Sequence, residues 1–470
     1  MRSFTARRGL TACAVSVAAL AAMAAPGVAS AKKITKSVCT GVNISGNGAS
    51  SEYLAQKAWA TEFSTAGSNP FKCISGSPTV TYYKTSSGKG LNSWGAGGSL
   101  VNPGSPDPES AGFGAGNAFL GAEEAPNLEQ AENIESQETT PKSVLKTVLT
   151  VPVVQEAIAV IVHLPAGCTA TSTSNSGRLV LNSETLAEIF AGTRTSWTSI
   201  TDGGDTFTGT CSTPIQRVVR GDQSGTTNKF KRYLDLIKAN PAGIPAPYTG
   251  ETWAEIAQNA PNTVWPAPAG GSAIIQGSGT EKDTGEINTI VSTPSSIGYG
   301  ILADAGETSG LEPSGGGGAG TSTFWAPIQN NGVKAKGAKY ADPAVSGEVN
   351  FDTATNGANC AKTKYTNGPE NVKFPPTFLY DDWSPVTTST KEKNYPLCGI
   401  GYAITLSHYA AFTGTTAAEV QSVADYFHYV LSTATGGGQT LLEALDYEAL
   451  PKALDNESVK GIEGAAGIGF

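Results

Sequence analysis

Three short hydroxyl-rich segments, Ser50-Ser51, Ser86-Ser87 and Ser224-Gly225-Thr226, carry the chemistry most open to reading in this chain. Each stands where a strand-like run hands over to a helical one. Free backbone N–H groups and the positive end of the helix dipole make such a terminus an anion site, and glycine lets a ligand approach the backbone closely. Serine and threonine are also the ordinary N-caps of helices, so one such segment alone means little. Three together, with Arg220 four residues before the third, point to a buried oxyanion. Asp222 is placed to orient that arginine through a charge-assisted pair. A metal centre is not expected, since the chain has no CxxC pair and only His163, His408 and His428. No cofactor motif is evident.

The elements that must position these residues follow from hydrophobic periodicity. Val42 to Ile44 reads as a strand, Gly46 to Ser51 as a tight glycine loop, and Leu54, Ala58, Trp59 and Phe63 as one face of a helix. Thr79 to Tyr83 is the next strand, ending in Ser86-Ser87-Gly88-Lys89-Gly90. Gln155 to Leu164 is a nearly continuous apolar run, as expected of a strand buried on both faces. Arg217 to Arg220 reads as a strand entering Gly221 to Thr227, after which Phe230, Tyr233, Leu234 and Ile237 give an amphipathic helix. Repeated strand-helix units predict an α/β fold with mostly parallel sheets. Asn92 to Gly112, Pro241 to Pro261 and much of Thr308 to Asn394 lack periodicity and read as surface insertions or long loops.

Composition bounds the rest. The 470 residues include 56 Gly and 27 Pro, which excludes a helical bundle, and their length suits two or three domains. The formal charge is −9; the first 31 residues hold three of the 31 basic side chains and none of the 40 acids, so the remainder stands at −12. A nucleic-acid partner is therefore not expected, because phosphate-backbone binding needs a basic surface. Residues 1–31 read as a secretory signal peptide: a basic stretch to Arg8, an apolar run from Cys13 to Ala25, and a small-residue cleavage site at Ala29-Ser30-Ala31. Arg7-Arg8 reads as a plain basic start. Leu10 to Cys13 imitates a lipidation box with the apolar run on the wrong side. Six cysteines follow the leader, an even number that predicts three disulfides in an exported chain. Sequence spacing favours Cys39 with Cys73, Cys168 with Cys211, and Cys360 with Cys398.

Taken in order, Gly46 to Ser50, Val80 to Leu91, Phe113 to Ala118, Gln155 to Leu164, Val219 to Thr226, Ile297-Gly298-Tyr299 and Leu445 to Pro451 resemble the phosphate-binding proteins of Pst-type ABC transporters. The Arg220 to Thr226 and Leu445-Asp446-Tyr447-Glu448-Ala449-Leu450-Pro451 segments are the specific ones. The resemblance implies two α/β lobes of the periplasmic-binding-protein kind closing on one phosphate ion, with membrane ABC permease subunits as partners and no enzymatic activity. It implies first-loop contacts from Ser50 and Ser51, a second-loop hydroxyl from Ser87 with Ser86 as the alternative, and a second-lobe grip by Arg220, Ser224, Gly225 and Thr226. Asn117 falls where the family has an aspartate that accepts a proton from phosphate. Since an amide donates as well as accepts, sulfate is the alternative anion. Ser51 falls where the family usually has an aromatic. The expected layout is lobe I over 32–155 plus 402–470 and lobe II over 156–401. The insertions at 92–112 and 308–394 make the chain long for the family, and a monomer in the periplasm or at the cell surface is expected.

Enzymatic readings are weaker. Gly221-Asp222-Gln223-Ser224-Gly225 is not a GxSxG elbow, and His163, the one base a secreted phosphatase-type hydrolase would use, follows an apolar strand. Gly88-Lys89 is followed by Gly90, not the Ser or Thr a P-loop requires, so Lys89 reads as a solvated loop residue.

Overall fold

The computed structural model describes residues 37–73, 78–98, 117–137, 147–172, 179–237, 265, 274–308, 311, 322–329, 340–344, 360, 395–412, 414–463 and 467–469. The expected signal peptide lies outside these residues, as do Pro241 to Pro261 and most of both insertions. Strands β1 (Ile44–Gly48), β2 (Val80–Lys84) and β3 (Asn117–Ala122) alternate with helices α1 (Tyr53–Phe63), α2 (Ser87–Ser93) and α3 (Leu128–Glu135). The chain then enters β4 (Val148–His163), β5 (Cys168–Thr171), α4 (Ser183–Ala191), β6 (Thr206–Gly209), β7 (Gln216–Val218) and α5 (Gly225–Ile237). It continues through β8 (Ile274–Ile275), α6 (Lys282–Ser292), β9 (Ser296–Ile301), α7 (Leu302–Gly306), β10 (Thr323–Trp325), β11 (Ile328–Gln329) and β12 (Tyr340–Ala341). Strand β13 (Cys398–Leu406) returns the chain to helices α8 (Ala417–Val430) and α9 (Lys452–Glu463).

One sheet runs through the molecule in the order β2-β1-β3-β13-β4-β9-β7-β8, with β10 also on β4. The outer pairs, β1 with β2 and β3, and β7 with β8 and β9, are parallel, as strand-helix units require. The middle is antiparallel because β4 and β13 carry the chain in opposite directions between the two halves. Residues 148–157 of β4 pair with β13 and residues 158–163 with β9, so this 16-residue strand belongs to both lobes. Every residue of β4 except His163 is buried, as its unbroken apolar pattern demands. Pro152 has no N–H to donate, and the register shifts there: Gly401 faces Val154 and Tyr402 faces Pro152, leaving Val153 as a bulge. The Gln439 side chain fills that gap, donating to the Val153 carbonyl at 2.9 Å.

Aromatic clusters anchor the two halves. Phe63, Phe119, Tyr426 and Phe427 pack in the first, with Phe119 edge-on to Phe427 at 5.2 Å. Phe190, Phe230, Trp265 and Tyr299 pack in the second, with Phe230 stacked on Tyr299 at 4.4 Å. Such pairs contribute roughly 0.5–1.5 kcal/mol each beyond their buried area. Disulfides join Cys39 to Cys73, Cys168 to Cys211 and Cys360 to Cys398, the pairing that spacing favoured. No described helix is long and apolar enough to cross a membrane.

Two expectations need correction. Gly46 and Gly48 lie inside β1 and not in a turn. A Cβ on Gly46 would meet the Phe119 ring at 2.4 Å, and one on Gly48 would meet the Gly121 carbonyl at 2.0 Å, so these glycines serve close strand approach. The segment from 308 to 394 is also more than surface loop, since β10 is buried and pairs with β4 through Thr323, Phe324 and Trp325.

Candidate functional site

The carboxyl ends of β1 and β3 and the amino end of α5 meet at one buried point. Ser50 follows β1, and its hydroxyl donates to Asp283 Oδ2 at 2.6 Å. Arg220 follows β7 by two residues and forms a bidentate pair with Asp222, Nε to Oδ1 at 2.8 Å and Nη2 to Oδ2 at 2.9 Å. Its Nη1 lies 3.0 Å from Asp283 Oδ2, and Nη2 reaches Ser50 Oγ at 3.4 Å. Ser224 caps α5, accepting from the Thr227 N–H at 3.2 Å. Thr226 donates its hydroxyl to Glu123 Oε2 at 2.7 Å and lies 3.1 Å from Asp283 Oδ1.

The second loop contributes Ser87, whose Oγ accepts from the Glu123 N–H at 3.2 Å. Ser86 instead caps α2 by accepting from the Lys89 N–H, so Ser87 is the hydroxyl at the cluster. Ser51 is fully buried, and its carbonyl accepts from the Tyr447 hydroxyl. That contact gives the Leu445 to Pro451 segment a role: it holds the first loop from behind.

Asn117 is the one expected site residue that the structure does not bring to this point. It opens β3, opposite Ser45, whereas Glu123 and Glu124 follow the other end of the same strand. Its Nδ2 donates to Ser93 Oγ at 3.0 Å, away from Arg220. A β-strand advances about 3.3 Å per residue, so six residues separate the two places by roughly 20 Å. His163 is also elsewhere in use, with Nδ1 at 3.1 Å from the Ile290 carbonyl, and Lys89 is a half-exposed residue 3.5 Å from Glu281.

Sequence reading missed the acids. Glu52, Glu123, Glu124, Glu156, Asp283, Glu286 and Asp304 are all buried around the cluster. Lys229 on α5 donates to Glu156 Oε2 at 2.7 Å and lies 3.4 Å from Glu123 Oε1. Burial opposes the charge on Lys229, yet Glu156 and Glu123 outweigh it and raise its pKa. Burial likewise opposes the Arg220 charge, and Asp283 and Asp222 outweigh that penalty. The acids respond the other way. Burial, reinforced by Glu123 and opposed by Lys229, pushes Glu124 up to about 8. Burial and Asp283 push Asp304 to about 8, against Lys84; burial raises Glu156 to about 7, against Lys229. Burial also raises Glu52 and Glu286. Neither oxygen of Glu124 makes a hydrogen bond of good geometry among the described residues, although it abuts the start of α5. The sequence did carry one signal, an acid pair directly after the apolar run Ala118 to Ala122.

Hydroxyls from two loops, a guanidinium, the N–H groups of a helix start and one protonatable carboxyl suit a tetrahedral oxyanion that carries a proton. The one described cluster with metal-ligand spacing, Cys39, Cys73 and Asp425, has its sulfurs tied in a disulfide and offers no thiolate.

Two α/β halves joined by the paired strands β4 and β13, with hydrogen-bond donors converging between them, make a two-lobed binding fold. Residues 24–429 match the PBP superfamily domain, and the chain belongs to that superfamily. Similar solved structures include a high-affinity periplasmic phosphate-binding protein, PfluDING, bound with phosphate (17% identity, TM-score 0.56, 91% of this chain and 96% of that one). An ancestral soluble variant of the human phosphate binding protein is 18% identical (TM-score 0.57, 91% and 97% covered). A phosphate binding protein from Stenotrophomonas maltophilia is 14% identical (TM-score 0.57, 91% and 96% covered). Among curated proteins none matches the chain.

Proposed function

We propose that the protein captures inorganic phosphate between its lobes and delivers it to the membrane subunits of an ABC importer. The observation that carries this reading is the convergence of Ser50, Ser87, Arg220 and Thr226 with the start of α5, beside a buried carboxyl at Glu124. In this reading Ser50, Ser87, Arg220, Ser224, Gly225 and Thr226 supply donors, with Ser51 in the first-loop wall and Asp222 fixing the guanidinium. Glu124 takes the place of the proton-accepting aspartate that the family resemblance had set at Asn117. Phosphate is favoured over sulfate once Glu124 is ionised, above about pH 8, because a bare carboxylate beside the anion calls for a proton that hydrogen phosphate brings; below that pH a protonated Glu124 serves either anion.

The lobes in this reading are 32–155 plus 402–470 and 156–401, which places both crossings in the β4–β13 pair. Ligand between the lobes stabilises the closed form by the contacts made only there. The protein acts as a monomeric carrier with no catalytic step, exported by its leader to the periplasm or cell surface. Three disulfides are in keeping with that compartment. Calorimetric titration of the mature protein with phosphate, then with sulfate, tests the reading. Saturable one-to-one binding of phosphate is expected, and no heat with phosphate would overturn it.

A further inference from the structure

The donors assigned to the anion are not idle. Asp283, the second residue of α6, is fully buried and accepts from Ser50 Oγ at 2.6 Å through Oδ2. The same Oδ2 lies 3.0 Å from Arg220 Nη1, while Oδ1 is 3.1 Å from the Thr226 hydroxyl. One carboxylate therefore engages three of the groups that a bound oxyanion would need, taking one from the first lobe and two from the second. It is not required to neutralise the guanidinium, because Asp222 already does so through two hydrogen bonds. Asp283 is a surplus negative charge at the point where an anion would bind.

We infer that Asp283 is a built-in stand-in for the ligand: its carboxylate occupies the anion's donors in the empty protein and ties Ser50 of one lobe to Arg220 and Thr226 of the other. The inference rests on the phosphate reading for the identity of the competing anion. Binding then proceeds by exchange, in which an incoming oxyanion takes over the Ser50, Arg220 and Thr226 donors and the Asp283 side chain gives them up. Affinity falls below what the donors alone would deliver, since the Ser50 hydrogen bond and the Arg220 charge contact that the ligand gains are ones that Asp283 held. An anion with four oxygens outcompetes the planar carboxylate because it also reaches Ser87 and the N–H groups of α5. A weaker anion with fewer oxygens does not.

The test compares wild type with Asp283→Ala and Asp283→Asn, each checked for a cooperative thermal transition. Calorimetry with inorganic phosphate should show tighter binding in both variants, by about tenfold or more, corresponding to about 1.4 kcal/mol per decade. Small-angle scattering without phosphate should show Asp283→Ala more expanded than wild type, and compacted again by phosphate. Folded variants that bind phosphate equally or more weakly than wild type overturn the inference and leave the phosphate reading standing. If neither wild type nor variants bind phosphate, that reading falls, and scattering alone decides: an expanded Asp283→Ala supports the internal tie, and unchanged dimensions overturn it. Should the Ala variant not fold, the Asn variant decides by the same measurements, because loss of the charge weakens its hold on Arg220.

Discussion

A methyl group on Gly225 would lie 2.1 Å from Glu124 Oε2 and 2.5 Å from the Glu123 Cβ. The first residue of α5 and the acid pair after β3 thus touch with no room for a side chain between them. Glycine is needed at 225 for approach and not for backbone conformation. Gly225→Ala should keep the lobes from closing fully and weaken phosphate binding by on the order of a hundredfold, about 2.7 kcal/mol. The helix itself should be unaffected, since alanine favours helix over glycine. Calorimetry with circular dichroism checks both halves of this expectation.

Arg220→Ala removes the guanidinium and leaves Asp222 and Asp283 facing each other without their shared cation. Phosphate affinity should fall by about 2–4 kcal/mol, in the range for truncating one partner of a buried charge pair. Arg220→Lys should recover only part of the loss, because an ammonium cannot hold Asp222 through two parallel bonds. Unchanged affinity in the Ala variant would remove Arg220 from the site.

In the phosphate reading, Glu124 sets a proton rule for selectivity. Between its carboxyl and the anion one proton is needed, since two bare acceptors in contact cost about 1–3 kcal/mol or more. Hydrogen phosphate supplies that proton; sulfate relies on a protonated Glu124, whose pKa is about 8. Sulfate binding should therefore weaken as pH rises through about 8 while phosphate binding persists. Glu124→Gln, which donates at every pH, should remove the pH dependence for sulfate. Asn117→Asp should change neither anion, because Asn117 lies at the far end of β3 with Ser93. Titrations of both ligands across this range decide the matter.

The same group links stability to pH. Its folded pKa of about 8 stands above the ordinary glutamate value of 4.5, so the folded state holds the proton over that window and the unfolded state does not. The contribution is fully present below about pH 4.5 and is lost as pH rises through about 8, at up to roughly 1.4 kcal/mol per pH unit. Other buried groups titrate nearby, and a difference measurement isolates this one. In the ligand-free protein, wild type minus Glu124→Gln should become less favourable to wild type from pH 5 to about 8. A pH-independent difference in unfolding free energy would mean that Glu124 is not held protonated by burial.

Cys360 is tied to Cys398 at the start of β13, 38 residues away in sequence. Chain-entropy arguments put the stabilisation from closing such a loop at about 4 kcal/mol. Replacing both cysteines by serine should lower the thermal midpoint measurably. Phosphate affinity should change little, because the bond lies outside the Ser50–Arg220–Thr226 cluster. Peptide mapping of unreduced protein should recover all three pairs and no free thiol.

What the sequence disclosed depended on how locally each feature is written. Arg220 to Thr226 was legible because a strand end, an arginine and a helix start lie within seven residues, and the folded chain only has to turn once to assemble them. The disulfides were legible from spacing. Asn117 misled because a glycine-rich match at 113–118 resembles a loop before a site, whereas Asn117 begins a strand and the loop that counts lies at its other end. Asp283 was illegible for a different reason: its contact with Ser50 spans 233 residues and follows no pattern that either segment shows alone. Glu52 and Glu156 gave no warning either: Glu52 opens a helix and Glu156 interrupts an apolar run, and neither signals anything until its partner, here Lys229 for Glu156, is known.

The bulge at Val153 also has a mechanical meaning. Two long strands joining the halves should behave as a flexure, not a pin, with any opening taken up as added twist along β4 and β13. Pro152 and the unpaired Val153 are where that ribbon has the fewest cross-strand bonds, so bending concentrates beside them. Gln439, whose Nε2 donates to the Val153 carbonyl from outside the sheet, is placed to stiffen the ribbon at that point. In the phosphate reading, the amplitude of opening should then depend on Gln439, a side chain at the back of the sheet and away from the Ser50–Arg220–Thr226 cluster.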